Sequence, residues 1–428
     1  MMSMQSQSLQ SAVRPHECVD TYYADSHNSK VQCFPATTEN RFVVALNSLA
    51  SGSQSSVIFN PDGLVSDICL TCTLPALPPS ASYAGVGLTR GWLWQLVRQI
   101  GVRYAGSSLY YFQGEEVLIT ALADCEDSVK RDQLLSLGGA ELKSPADWAN
   151  EDLRTATIYI KLPHNSPSAQ EKPIGFPTDS ISSPLQLQIE FKNFSDVFLL
   201  NGGATSTSIP SAFSNGEVQF KQAHLQDRAD SIAAREDLSK KALSIPLKYF
   251  TQSQFQASLP SVASGVNQQI SLTGFRAGSV QGIYVWAVRD ADLSSVTAKQ
   301  PLRYVPLRNV ELSVNGLVYF RASRNSAQFW DLVERKTASA VSTTTLAYNG
   351  GTGNYDATAA VAYWVWIPFA QGTEVLRDET MLTNGLGIAN SVVNLTLDTG
   401  GAGAVQVYAA YIYNATLLAS GGSVEYVF

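Results

Sequence analysis

Apolar and polar positions alternate in short bursts along most of this chain, and the bursts are broken by Gly, Pro, Asn or Ser. Residues 41–46, 56–60, 67–74, 99–104, 157–162, 185–191 and 197–200 read as strands in the first half. Residues 269–274, 282–288, 309–314, 363–367, 392–397 and 405–413 do so in the second. Many short strands at close intervals predict an all-β sandwich or barrel rather than a parallel sheet wound with helices. Helix patterns are few. The clearest spans residues 219–242, where Leu225, Ala229 and Ile232 share one face and mixed charges occupy the rest. Shorter ones fall at residues 128–137 and 327–336. A Ser/Gly-rich stretch at 201–215, followed by the charged helix, reads as a connector between two large units.

The strand pattern repeats. Arg98-Gln-Ile-Gly-Val-Arg-Tyr-Ala-Gly106 lies on Arg308-Asn-Val-Glu-Leu-Ser-Val-Asn-Gly316, with Arg, a β-branched residue, an apolar residue and Gly in register 210 positions apart. The same offset sets Leu185 and Leu187 on Leu395 and Leu397, and Leu162-Pro163 matches Ile367-Pro368 at a slightly smaller one. A period this long means duplicated domains, because solenoid units are far shorter.

Composition narrows the function more than the fold. Charged residues make up only 15%, below the roughly 25% of ordinary soluble domains, which suits neutral surfaces and large buried contacts. The net charge of −7 argues against a general nucleic-acid binder, which carries a basic excess. Residues 1–15 are polar, unlike a secretory signal, and no apolar run reaches the 18 or so residues a spanning helix needs. A soluble protein made inside the cell is the expectation.

At several of these strands the sequence resembles the double jelly-roll major capsid proteins of DNA viruses, the lineage of giant viruses, virophages and tectiviruses. In the first half the resemblance is carried by Gly91-Trp-Leu-Trp-Gln-Leu-Val-Arg-Gln-Ile-Gly101, by Thr157-Ile-Tyr-Ile-Lys-Leu-Pro163, and by Phe176-Pro177 with Leu185-Gln-Leu-Gln-Ile-Glu-Phe191. In the second half it is carried by residues 272–290, by Glu311-Leu-Ser-Val-Asn-Gly316, by residues 327–336 and by residues 405–428. The chain departs from the family at His164-Asn165, where relatives carry aromatic residues.

The resemblance implies two tandem eight-stranded antiparallel jelly-roll β-sandwiches, with a few short helices in loops and linker. The expected division is an N-terminal arm at 1–40, jelly roll 1 at 41–208, a linker with helix at 209–242 and jelly roll 2 at 243–428. It also implies a major capsid protein, not an enzyme. Such a protein trimerises into pseudo-hexameric blocks that tile an icosahedral shell. Its implied partners are its own copies, neighbouring capsomers and minor or penton proteins, with an internal membrane reached by the arm. Its implied place is the virion, after synthesis in the host cytoplasm, and no sequence-specific nucleic-acid contact, cofactor, metal or catalytic residue is implied.

The residues that could carry other chemistry are weighed against that expectation. Cys69 and Cys72 form a C-x-x-C without a second pair, and they read as buried thiols within a strand. His16, Cys18, His27 and Cys33 are irregularly spaced for a metal, and Cys125 leaves an odd count. Glu115-Glu116 and Asp124, Glu126 and Asp127 read as solvated loop charges. Arg228, Arg235, Lys240 and Lys241 are offset by Asp227, Asp230, Glu236 and Asp237 on the same helix pattern. The sequons at Asn193, Asn394 and Asn414 lie in or beside strands and read as coincidental. The alternative function is a lectin-like or spike β-sandwich that binds carbohydrate through Trp92, Trp94, Trp286, Trp330, Trp364 and Trp366, against which core or trimer-interface packing is the expectation.

Overall fold

The computed structural model describes residues 37–427 apart from 60–62, 80–82, 84, 116–117, 120–127, 161–175, 179–182, 201–203, 226–242, 251–254, 276–278, 296–303, 306, 308, 324–363, 370–385 and 421–422. The first half forms β1 (Thr37–Ala45), β2 (Gln54–Phe59), β3 (Leu64–Thr73), β4 (Val86–Gly87), β5 (Val97–Tyr104), β6 (Ser107–Gln113), β7 (Thr155–Ile160), β8 (Phe176–Pro177), β9 (Leu185–Phe191), β10 (Leu199–Leu200) and β11 (Asn215–Leu225). The second forms β12 (Leu243–Phe250), β13 (Phe255–Leu259), β14 (Gln268–Leu272), β15 (Ser279–Arg289), β16 (Asn309–Val314), β17 (Leu317–Ser323), β18 (Trp364–Pro368), β19 (Leu386–Gly387), β20 (Val393–Asp398), β21 (Val405–Ser420) and β22 (Ser423–Val427). The α-helices are short, among them α1 (Trp92–Leu96) and α2 (Ser128–Leu137).

All strand pairs are antiparallel, and the pairing order defines the fold. The first half builds the sheets β1-β11-β3-β7 and β2-β9-β5-β6, and the second builds β12-β21-β15-β18 and β14-β20-β16-β17. Strand β8 adds to β3, β19 to β15, and β13 and β22 to β21. With the eight main strands of each half counted in chain order, both halves read 1-8-3-6 over 2-7-4-5. That order is a jelly roll, and the chain holds two of them.

The duplication extends to local geometry. Strands β5 and β6 join through Ala105 (φ 48°) and Gly106 (φ 82°), and β16 and β17 join through Asn315 (φ 52°) and Gly316 (φ 81°). Two successive left-handed residues make a type I′ hairpin, whose twist matches that of the strands. Each hairpin carries a register shift at the same place, between Val102 and Arg103 and between Leu312 and Ser313. The turn and bulge therefore keep the 210-residue offset.

The partner strand does not. Val102 pairs with Leu187, whereas Leu312 pairs with Leu395, so β9 and β20 correspond at 208. The sequence match of Leu185 and Leu187 with Leu395 and Leu397 is off by one pair, because a two-residue slip preserves every inward and outward position. Gly316→Ala tests the turn. A Cβ there meets nothing within 4 Å, so the expected cost is backbone strain alone, about 1 kcal/mol in urea unfolding, and Gly106→Ala should match it.

The expected helix at 219–242 is corrected over its first residues. Gln219 to Leu225 are the end of β11, which pairs with β1 from Glu217 to Leu225 and with β3 on its other side. Val218, Phe220 and Gln222 turn inward between Glu217, Gln219 and Lys221, a period-2 pattern that the charged side chains obscured. The remainder, 226–242, lies outside the described residues, as does the helix expected at 327–336. The helix expected at 128–137 is α2.

Candidate assembly surface

The two sandwiches meet through a sheet buried on both faces. In β15, Ile283, Val285 and Ala287 point into the second sandwich, while Tyr284, Trp286 and Val288 join one buried cluster with the core of the first. Strand β18 divides the same way, with Val365 and Ile367 inward and Trp364 and Trp366 toward the first sandwich. From β21 come Tyr408, Ala410 and Ile412, and Tyr304 completes the junction. Rings tile it: Trp286 stacks on Tyr408 at 5.7 Å, Tyr284 lies 4.6 Å from Trp366, and Tyr304 meets Trp364 edge-on at 6.3 Å. Strands apolar on both faces need cover on both, and here the first jelly roll supplies the second cover.

Glu115, just past β6, reaches this junction. It is ion-paired with Lys192 at 3.0 Å, and its negative field reaches Tyr304 and Tyr408. Burial first, and Glu115 second, push both phenols above the ordinary tyrosine value. Burial also raises Tyr411 in the second core. A raised folded-state value means this stabilisation is complete below the unfolded tyrosine value near 10 and is lost as pH rises through the folded one. With respect to these groups, the melting temperature should be flat from about pH 7 to 9 and fall above about pH 10, checked by calorimetry across pH.

Of the other candidate residues, the two cysteines of the C-x-x-C are described. Cys72 is buried in the first core and burial pushes its thiol up strongly. Cys69, three residues away on the same strand, faces the opposite side and is half-buried, which corrects the expectation that both are buried. Burial and then Asp67 push its thiol up to about 11, so neither sulfur is a thiolate nucleophile at neutral pH. Among the described residues no three His, Cys, Asp or Glu side chains gather to hold a metal ion. His16, Cys18, His27, Cys33, Glu116, Asp124, Cys125, Glu126, Asp127, Arg228, Arg235, Lys240 and Lys241 lie outside the described residues, and so does Trp330.

The carbohydrate reading needs exposed indoles, and Trp92, Trp94, Trp286, Trp364 and Trp366 are all buried, as is Trp148. Native tryptophan fluorescence should be blue-shifted against the unfolded chain and indifferent to added sugars. Of the sequons, Asn193 precedes a 3-10 turn, Asn394 accepts a hydrogen bond from the Ser271 hydroxyl at 2.8 Å, and Asn414 lies within β21. Exposed apolar side chains do occur elsewhere. Leu317, Val318 and Tyr319 follow the β16–β17 turn, beside Val392, whose amide donates to the Asn315 side chain at 3.0 Å. Sequence reasoning missed this tip, although Leu-Val-Tyr directly after Asn-Gly was its signal.

No family model matches the sequence, and no curated protein matches it. Solved structures do match in shape. The chain superposes on one from a quasi-atomic model of the PBCV-1 virus capsid with a TM-score of 0.61 at 13% identity, covering 94% of this chain and 100% of that one. Against the Faustovirus major capsid protein the TM-score is 0.54 at 10% identity, with 92% of each chain covered. Against the mavirus major capsid protein it is 0.50 at 9% identity, covering 95% and 93%. Identities this low speak for fold alone. The chain has an all-β, double jelly-roll fold, and it shares that fold with these virus capsid proteins.

Proposed function

We propose that this chain is a major capsid protein whose trimer forms a pseudo-hexagonal block of an icosahedral shell. The observation that carries it is the pair of jelly rolls with one strand order, joined by a buried aromatic sheet into a single body. Full-length likeness in shape to capsid proteins supports it. Six similar wedges from three chains let a lattice of hexagonal blocks form with only threefold symmetry in each. The work is geometric, so no catalytic residue, metal or cofactor enters the reading.

In this reading the arm is the chain ahead of β1, which begins at Thr37 rather than after residue 40, the first jelly roll runs through β11 rather than ending at 208, and the connection falls within 226–242. Copies of the chain are its main partners, followed by neighbouring capsomers and minor or penton proteins. The arm lies beneath the shell toward neighbours or an internal membrane, and the protein is made in the host cytoplasm before entering the virion. The exposed apolar tip at Leu317, Val318, Tyr319 and Val392 supports association, since contiguous exposed apolar surface marks contact sites. Negative-stain microscopy of the purified protein tests the proposal: six-lobed particles with threefold averages are expected, and a field of isolated two-lobed particles at every concentration would refute it.

A further inference from the structure

Where the two halves of the chain differ at matched positions, the difference follows what covers the surface. Strand β8 pairs Phe176 with Val65, and β19 pairs Leu386 with Val280, which aligns β3 on β15 at an offset of 215. The cross-strand pair Thr71–Thr157 then stands where Trp286–Trp364 stands. The indoles are sealed against the first sandwich, whereas the threonines bond each other at 2.9 Å on a face where Tyr159 is 49% exposed. The two type I′ hairpins make another such pair. Ser107-Ser108 follows the turn in the first half and Leu317-Val318 follows it in the second, so the turn itself does not ask for apolar residues there. Yet Leu317 is 68% exposed, Val318 50%, Tyr319 52% and Val392 62%. By the same rule, this tip has a cover that lies outside the chain.

The geometry points to a neutral lipid surface as that cover, with the β16–β17 tip dipping its apolar side chains into the bilayer. Contiguous exposed apolar surface marks contact with protein or membrane, and the shape here favours the second. A protein contact that is stable on its own buries roughly 800 Å² on each side, more than four side chains at a convex turn supply, whereas a fluid apolar phase closes around any tip. The turn is also prepared to leave water. The Asn315 amide donates to the Val392 carbonyl at 2.8 Å, the Val392 amide donates to the Asn315 side-chain oxygen at 3.0 Å, and the Asn315 side-chain nitrogen donates to the Ser391 hydroxyl at 3.2 Å. Polar groups that bond each other lose little when water is withdrawn. Tyr319, edge-on to Phe369 at 6.5 Å, has the apolar ring and polar end that suit the boundary between bilayer and water. The hairpin's two charged side chains, Glu311 and Arg321, pair with each other at 2.6 Å, and the chain carries a net charge of −7, so attraction to anionic headgroups is not the driving force.

The tip lies at a defined end of its sandwich. Leu272, Val393 and Val314 form one row, and Asn315 to Tyr319 project past it, while Val266 lies beyond the row of Gln268, Leu397 and Val310 at the opposite end. In the first sandwich the matching turn is at the end where β1 begins, because Tyr104 and Phe59 both pair with Leu185 and the chain then turns into Leu64, two pairings away from Glu39. The sandwiches stand the same way up: Glu115, past the far end of β6, reaches Tyr304 and Tyr408, near the far ends of β15 and β21. The tip therefore shares the end from which the arm leaves. The inference rests on the shell reading above for where the lipid lies, which is beneath the shell, and it gives that contact to the folded second jelly roll rather than to the arm.

Flotation of the purified full-length protein with phosphatidylcholine vesicles, at low and high salt, tests this. Wild type and Val266→Ser, changed at an exposed apolar residue of the opposite end, should float equally and regardless of salt. The double variant Leu317→Ser/Val318→Ser, which gives the second hairpin the residues of the first, should float about tenfold less, because two side chains no longer gain by leaving water. Its circular dichroism and melting should match wild type. A double variant that floats like wild type would overturn the inference, and so would a wild type that floats only with anionic vesicles at low salt. A wild type that floats with no vesicle would also overturn it, passing the tip to a protein partner and leaving the capsid reading intact. The capsid reading fails separately, by the absence of six-lobed particles, and a chain that floats without forming them keeps its lipid contact and loses its shell.

Discussion

Val310→Asp should yield no soluble folded protein. Val310 is fully buried on β16, paired in the ladder with Leu397 and Ala322, and its side chain belongs to the core of the second sandwich. An unpaired carboxylate there carries a penalty of several kcal/mol, comparable with the roughly 5–15 kcal/mol that holds a whole domain folded. Ile100, 210 residues earlier, is equally buried at the matching place on β5, so Ile100→Asp should fail in the same way. Ser313→Asp, next to the bulge on the other face of β16, should be tolerated. Soluble yield and circular dichroism separate the outcomes. A folded, assembling Val310→Asp would mean that the two strands are not equivalent core elements.

Trp286→Ala is the second large effect. It removes the ring that stacks on Tyr408 at the centre of the junction. Truncation of a fully buried aromatic costs about 3–5 kcal/mol, since the space it leaves is only partly refilled. For domains of this size that corresponds to roughly 10 °C in melting temperature. The structurally equivalent Thr71→Ala loses one hydroxyl contact on an open face and should cost no more than about 1 kcal/mol. Calorimetry of the pair reads the asymmetry between the two sandwiches directly. Equal effects would contradict the burial of one face and the exposure of the other.

The strands that alternate cleanly were legible in the sequence, and so was the duplication, because the hairpins after Tyr104 and Val314 preserve their turn and their bulge. Strands β6 and β17 were not legible. Both follow a register shift, so the period-2 pattern slips within Ser107–Gln113 and Leu317–Ser323. Strand β12 was hidden by Pro246, which a strand tolerates where its amide is not needed in the ladder. The end of β11 read as helix because Glu217, Gln219 and Lys221 mark a wet strand face as readily as a helix surface. Only its neighbours β1 and β3, far away in sequence, decide between them.

The junction was half legible. Gly-Ile-Tyr-Val-Trp-Ala-Val and Trp-Val-Trp-Ile-Pro are apolar on both faces, which foretold burial of Trp286, Trp364 and Trp366. What the second face would meet depends on tertiary placement. So does the contrast with Thr71 and Thr157, because the offset relating these strands differs from 210. The C-x-x-C read as a pair of buried thiols, yet strand parity alone could have separated buried Cys72 from half-open Cys69.

The native mass of the purified chain, taken by light scattering at low and moderate salt, tests the central claim most directly. A stable species at three times the 46.2 kDa chain mass is the predicted result. A single chain mass that persists across salt and concentration would contradict the claim that this double jelly roll is a building block of a shell.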